Sequence, residues 1–442
     1  MSDLLLSYYG DDLTGSTDVM EALSLRGVST VLFIRRPTAG QRARFPDVRA
    51  IGLAGTSRSE TPAWMREHLP ADFAWLAGLD APLCHYKVCS TFDSAPDIGS
   101  IGCALDIGRQ VFGGLVVPLV VGAPQLRRYT AFGQLFAAYQ GTVYRIDRHP
   151  VMSRHPVTPM AEADLILHLS HQTQARIGRI DHVQLLSPEA DALVDQLAAA
   201  NDVLLLDVAD DLQQRAVGRQ LVRLLRSGSR FAVGSSGMEY ALAAAWTEDG
   251  VISGTSDFRS PGAVDRIAVV SGSVSPTTER QILHAEQAGF VRIAIDPQSF
   301  VRAGEDAAIA QATKQAEQAL GAGRSVILHT ALGPSSDVGA SFAGLDGARH
   351  MIGQGLGQLL AGLVRSQGLT RAVIAGGDTS SHALRELGIF ALTTCLPLPQ
   401  TPGSPLCTAH SDDPAFDGLQ IALKGGQVGS DAYFQNIRAG TA

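Results

Sequence analysis

Short apolar runs alternate along the chain with amphipathic stretches of helical length, and this pattern constrains the fold more than any other feature. Runs at 4–9, 30–34, 50–53, 85–88, 115–121, 165–169, 182–186, 203–207 and 231–234 are expected as strands, with helices such as 187–200 and 211–226 between them. Strands that alternate with helices form a parallel sheet covered on both faces. A polar, glycine-rich stretch at 251–262 then interrupts the pattern, which restarts beyond it. There the expected strands are 266–271, 292–295, 325–330 and 371–375, and the expected helices 277–288, 306–320, about 349–366 and 380–387. A chain of 442 residues is too long for one ordinary core. The expected fold is therefore two α/β domains with mostly parallel sheets: an N-terminal domain at 1–250, a linker at 251–262 and a C-terminal domain at 263–442.

Composition removes several function classes. Hydrophobic residues make up 45% and charged residues 18%, the balance of a globular chain. A net charge of −8 argues against nucleic acid or a membrane surface as the partner of the whole chain. No apolar run is long enough to span a bilayer, and no secretion signal is visible at the start. Five cysteines with no C-x-x-C pair fit reduced thiols, so a cytoplasmic location is expected. Lysine is scarce: Lys and Arg together number 35, and only Lys87, Lys314 and Lys424 are lysine. A surviving lysine marks a place where a planar guanidinium cannot replace a compact ammonium. Lys314 sits in a polar helical stretch and reads as a surface residue, whereas Lys87 and Lys424 fall in motif-like segments.

The first strand runs directly into Gly10-Asp11-Asp12-Leu13-Thr14-Gly15-Ser16-Thr17-Asp18. Ligands in open α/β folds bind at the carboxyl ends of strands. Three carboxylates at such an end would repel an anion, so this segment is expected to grip hydroxyl groups, with cations supplied from elsewhere. The plain structural alternative is a capped turn, with Asp18 as N-cap of a helix at 19–26. Candidate cations follow other strands: Arg58 in Thr56-Ser57-Arg58 and Lys87 in Tyr86-Lys87-Val88-Cys89-Ser90-Thr91. A proline-bounded loop, His155-Pro156-Val157-Thr158-Pro159, and the turn Gly234-Ser235-Ser236-Gly237 complete the set.

The second domain carries three glycine- and hydroxyl-rich turns after strands: Ser271-Gly272-Ser273, Gly376-Gly377-Asp378-Thr379 and Lys424-Gly425-Gly426. Each can offer backbone N–H groups to phosphate oxygens, because glycine permits close approach and a helix start favours negative charge. Three in one domain point to a nucleotide site, with Asp378 as a candidate Mg²⁺ or ribose contact. No G-x-x-x-x-G-K-[ST], G-x-G-x-x-G helix opening, G-x-S-x-G or H-E-x-x-H occurs, which excludes several familiar chemistries.

Asp11 to Asp18 resembles the D-D-[FL]-T-G-[AS]-x-D signature of the four-carbon acid sugar kinases. The blocks around Arg58, Lys87, Thr158, Ser271, Gly376 and Lys424 resemble further blocks of that family in the same order, across essentially the whole chain. The resemblance implies an N-terminal domain that binds a sugar acid, a C-terminal domain that binds ATP, and an active site in the cleft between them. It implies transfer of the γ-phosphoryl group to a substrate hydroxyl. Ser271 or Ser273, Gly376 to Thr379, Lys424, Gly425 and Gly426 would contact the nucleotide. After Ser90-Thr91 the family continues Leu-Arg-Gly-Asn, whereas this chain has Phe92-Asp93-Ser94-Ala95. That departure opens a branched substrate such as a 3-oxo-isoapionate beside erythronate, threonate and their 3-oxo forms.

The reading is thus an ATP- and Mg²⁺-dependent kinase of a small sugar acid. Asp12 is the first candidate base and Asp11 the second. Thr14, Gly15, Asp18, Arg58, Lys87, Ser90 and Thr158 would hold the substrate, with Arg58 and Lys87 on its carboxylate. A homodimer is compatible with the sequence. The competing readings are a two-domain solute-binding protein and a non-kinase enzyme acting on hydroxy acids.

Overall fold

The computed structural model describes residues 4–302, 306–336, 342, 347–426 and 428–441, the side chains of Asp306 and Asp378 excepted. The chain divides into two compact units, Met1–Ser256 and Asp257–Ala442.

Unit one is built on eight parallel strands in the order β2-β3-β1-β4-β11-β5-β10-β9. These are β1 (Leu6–Gly10), β2 (Thr30–Phe33), β3 (Ala50–Ala54), β4 (Cys84–Lys87), β5 (Val117–Val120), β9 (Ile177–Ile180), β10 (Val203–Leu206) and β11 (Phe231–Gly234). A separate antiparallel meander consists of β6 (Arg128–Ala131), β7 (Gln134–Tyr139) and β8 (Thr142–Arg145). The strands at the centre of the sheet are buried on both faces, as a parallel sheet demands, and β4 carries His85 and Lys87 there among apolar neighbours. Tyr9 stacks on Tyr86 with ring centroids 5.9 Å apart, and Phe73 meets Tyr9 edge-on at 5.6 Å. Burying side chains of this size stabilises the fold by about 1.5–3 kcal/mol each.

Three expectations fail here for identifiable reasons. The run 165–169 is a helix, Leu165–Ser170, because Asp164 accepts hydrogen bonds from the N–H groups of Ile166 and Leu167 and caps it. The stretch 182–186 ends in a single 3₁₀ turn, Gln184–Leu186, and the strand lies earlier, at β9. The first helix spans Leu13–Leu25, with Asp12 rather than Asp18 as N-cap. Asp12 is extended (φ −143°, ψ 167°) and its Oδ1 accepts from Gly15 N–H at 2.6 Å, so the helix begins six residues earlier than a cap at Asp18 would have it.

Unit two orders its strands β13-β14-β12-β15-β18-β17-β16. Here β12 (Ala268–Ser271), β13 (Val291–Ala294), β14 (Val326–His329), β15 (Arg371–Ala375) and β18 (Gln420–Lys424) are parallel, while β16 (Ile389–Leu396) and β17 (Leu406–Ser411) run antiparallel at one side. A core of Ile267, Val269, Phe290, Ile327, Val373 and Phe434 fills one face. The helices Pro276–Gln287, Asp306–Gly321, Ala348–Gln367 and Gly377–Glu386 fall where the sequence places them.

Candidate active site

In unit one, β1 and β4 lie side by side, with Gly10 in register with Lys87. Their carboxyl ends therefore deliver Asp11-Asp12 and Lys87 to one place, and the 3₁₀ turn Ser57–Ser59 brings Arg58 over them. Arg58 forks between both carboxylates. Its Nε and Nη2 donate to the Asp11 oxygens at 3.1 and 3.0 Å, and its Nη1 donates to Asp12 Oδ2 at 2.8 Å. Lys87 is buried, and its Nζ is 3.4 Å from Asp18 Oδ2. A Cβ at Gly15 would sit 2.5 Å from Asp12 Oδ1 and 3.2 Å from Lys87 Nζ, so only glycine lets the first helical turn close over this charge cluster.

The two adjacent aspartates differ in access. The Asp12 side chain is 28% exposed and that of Asp11 only 6%. Burial, opposed by Arg58 and reinforced by the Asp12 charge, raises Asp11 to about 6. Burial alone would lower the Lys87 ammonium, but Asp18, Asp11 and their neighbours outweigh it and raise it. Asp12 is thus the carboxylate a substrate hydroxyl can reach, and Asp11 the one that anchors Arg58.

The loop after β4 supplies a second layer. Phe92 is buried at φ +57°, a strained conformation for a bulky residue. It turns Asp93 inward, where Thr91 Oγ1 donates at 2.5 Å and Thr158 Oγ1 at 3.3 Å. Burial would raise the Asp93 carboxyl, yet Arg58, the Thr91 hydroxyl and His155 together hold it below the ordinary carboxylate value. Thr14 is half-buried in the first turn of the Leu13–Leu25 helix, and Ser90 is half-buried beside Thr91. The structure therefore gathers Asp11, Asp12, Gly15, Asp18, Arg58 and Lys87 directly, and joins Thr158 to them through Asp93. Sequence reasoning met Asp93 only as a departure from a motif.

In unit two the three turns converge at the carboxyl ends of β12, β15 and β18. Gly376 N–H donates to the Lys424 carbonyl at 2.9 Å, and Gly272 N–H to the Ala375 carbonyl at 3.1 Å. Gly376 adopts φ +120°, and a Cβ there would meet Thr379 Oγ1 at 2.9 Å; one at Gly426 would meet Ser273 Oγ at 3.3 Å. Ser273 Oγ lies 3.0 Å from Thr278 Oγ1, while Ser271 Oγ accepts from Ser273 N–H at 3.4 Å. Gly377 opens the Gly377–Glu386 helix, Gly425 follows β18, and the Pro276–Gln287 helix starts from the same region. Lys424 is fully buried and donates to Gly425 O (2.8 Å), Thr278 Oγ1 (3.0 Å) and Gly426 O (3.4 Å). Burial lowers its ammonium to about 7. A buried lysine among neutral acceptors, two helix starts and unhindered glycines suit a polyphosphate. The Asp378 side chain lies outside the described residues, so its expected metal role has no geometry here.

Comparison with known proteins matches these two units in turn. Residues 6–242 fit the family model of a sugar-binding N-terminal domain, and residues 268–434 that of a nucleotide-binding C-terminal domain. The chain belongs to the four-carbon acid sugar kinase family and is an ATP-dependent sugar-acid kinase. It is 47% identical to a 3-oxo-isoapionate kinase of Paraburkholderia graminis, over 99% of this chain and 94% of that protein. It is 30% identical to a 3-oxo-tetronate kinase of Methylobacterium radiotolerans, over 98% of each. A solved Salmonella typhimurium structure shares the fold at a TM-score of 0.78 with 23% identity, covering 99% of both chains.

Proposed function

We propose that the chain transfers the γ-phosphoryl group of ATP to a hydroxyl of a branched 3-oxo sugar acid of the 3-oxo-isoapionate type. The observation that carries this reading is the pair Asp11-Asp12 forked by one arginine, with only Asp12 open to a ligand. Asp12 accepts the proton of the attacking hydroxyl, and Arg58 fixes the carboxylate's orientation without blocking its remaining lone pairs. Gly15 and the Lys87–Asp18 pair hold the helix start against this carboxylate. Thr14 and Ser90 present hydroxyls to the polyol, while the buried Thr158 holds Asp93 in place by donating to it.

The nature of the acid rests on two points. Identity to the 3-oxo-isoapionate kinase exceeds that to the 3-oxo-tetronate kinase by a wide margin over the same length. Asp93, standing where the family motif has arginine or its neighbour, replaces a cation with a hydroxyl-accepting carboxylate, which suits a substrate with an additional hydroxymethyl branch. Bound ATP supplies the phosphoryl group. Ser271, Ser273, Gly376, Gly377, Thr379, Lys424, Gly425 and Gly426 are the residues that would hold it, since glycine and a buried ammonium at those positions leave room and charge for phosphate. Mg²⁺ is the proposed companion of the nucleotide, and Asp378 the residue to test for it. In phosphoryl transfer, positioning and charge neutralisation do most of the work, so the site needs little else.

A coupled assay of ADP release over 3-oxo-isoapionate, 3-oxo-tetronate, erythronate and threonate tests the substrate class. The branched acid should give the highest kcat/KM. A higher value with any linear acid would move the assignment to that acid.

A further inference from the structure

The acid-binding site, as its own residues stand, is poorly charged for an acid. Asp11, Asp12, Asp18 and Asp93 face two cations, and both cations are committed: Arg58 to Asp11 and Asp12, Lys87 to Asp18. A substrate carboxylate would enter a net negative space. It needs a cation that no carboxylate of the protein already holds.

Arg128 fits that need. It opens β6, in the meander that follows β5. Its Nη1 donates only to carbonyls, of Leu126 at 2.8 Å and Arg127 at 3.3 Å. Its Nε is buried with no partner, and among the described residues no carboxylate pairs with it. Burial, the largest influence, lowers the guanidinium, as befits a cation held without an anion. Its place in the fold is fixed by a short chain of contacts. Ala123 and Arg128 exchange both backbone hydrogen bonds, at 2.9 and 3.1 Å. Next to Ala123, the Gly122 carbonyl is 2.0 Å from where a Cβ on Gly237 would sit. Gly237 begins the 12-residue helix Gly237–Glu248 at the end of β11, and the carbonyl of Gly234 accepts from Val88 N–H at 2.7 Å, beside Lys87. The Cys89 thiol lies within electrostatic reach of Arg58, Lys87 and Arg128 alike. At the start of that helix Ser236 is fully buried, makes no capping hydrogen bond, and leaves its Oγ without a partner. A buried hydroxyl without a partner at a helix start, which favours negative charge, and a guanidinium that meets no carboxylate therefore stand on segments linked through Ala123, Gly122 and Gly237.

We propose that Arg128 and Ser236, with the start of the Gly237–Glu248 helix, form the subsite for the carboxylate of the sugar acid, and that Arg58 and Lys87 instead orient the aspartates. This rests on the sugar-acid reading above. The two are separable by experiment. With 3-oxo-isoapionate as probe, Arg128→Gln should raise KM for the acid about 10- to 100-fold, the worth of a charge-assisted contact, while kcat and the KM for ATP change little. Affinity for the neutral carboxamide of the same acid, measured by calorimetry, should be the same in variant and wild type. Arg128→Lys should restore part of the preference for acid over carboxamide, and Ser236→Ala should weaken it. An Arg128→Gln protein that prefers the acid to the carboxamide by the wild-type ratio overturns the subsite. If that variant does not fold, an unchanged ratio in Ser236→Ala and Arg128→Lys together overturns it. A wild-type protein that releases no ADP with any acid counts against the kinase reading instead.

Discussion

Asp12 serves as helix cap and as open carboxylate at once, which allows its two roles to be separated. Asn caps a helix as well as Asp does. Asp12→Asn should therefore keep the cap but set an NH₂ against Arg58, so a modest fall in melting temperature should accompany a fall in kcat of about 10²-fold or more, the typical value of a positioned base. Stopped-time ADP assays beside a thermal melt read both, and near-wild-type turnover would remove Asp12 from the chemistry. Lys87 is tested differently. Its ammonium lies under the Gly15 turn with no spare volume, so Lys87→Arg should destabilise the fold by about 1–3 kcal/mol through overpacking and depress turnover. Lys314 is exposed on the Asp306–Gly321 helix, and Lys314→Arg should change neither. Equal behaviour of the two variants would show that scarce lysine carries no functional information here.

At the scale of elements, the sequence reveals what local patterning controls and conceals what capping and edge pairing decide. The Asp-Asp segment, Arg58 and the three glycine turns were legible because each follows a largely apolar strand, and Lys87 because lysine is so scarce in this chain. The helix Leu165–Ser170 was not: its apolar run has no period of its own, and the decision falls to one side chain, Asp164, outside the run. Asp164→Ala should cost about 1 kcal/mol, measured by urea titration, as for other lost caps. Arg128 was hidden for a related reason. The meander β6–β8 has short, half-exposed strands, and the apolar pattern of the sequence marks no strand over 128–145. The turn around Lys424 yields a pH prediction. Burial lowers this lysine from 10.5 to about 7, so between those values the folded chain binds fewer protons there than the unfolded chain. Its contribution to stability therefore rises with pH across that window. Lys424→Met should flatten this part of the stability profile. An anionic nucleotide favours the ammonium, so binding of ATP above neutrality should take up a proton, which calorimetry in buffers of different ionisation enthalpy detects. Identical enthalpies in all buffers would separate Lys424 from the phosphates.

Taken whole, the molecule pairs one α/β unit that concentrates carboxylates, hydroxyls and a few fixed cations with another that concentrates glycine turns and a buried ammonium. That division of chemistry, rather than either site alone, makes a kinase of the chain: one unit is suited to a polyol acid and the other to a polyphosphate. No described helix is long and apolar enough to cross a membrane. The central claim is that phosphate leaves ATP for a hydroxyl of the acid, with Asp12 taking the proton. Phosphorus NMR of a reaction containing ATP, Mg²⁺ and 3-oxo-isoapionate tests it most directly, run with wild type and Asp12→Asn side by side. The predicted result is a phosphomonoester resonance that grows in step with ADP for the wild type and is strongly slowed in the variant. Growth of inorganic phosphate alone, or a phosphomonoester formed equally fast by both proteins, would contradict the account.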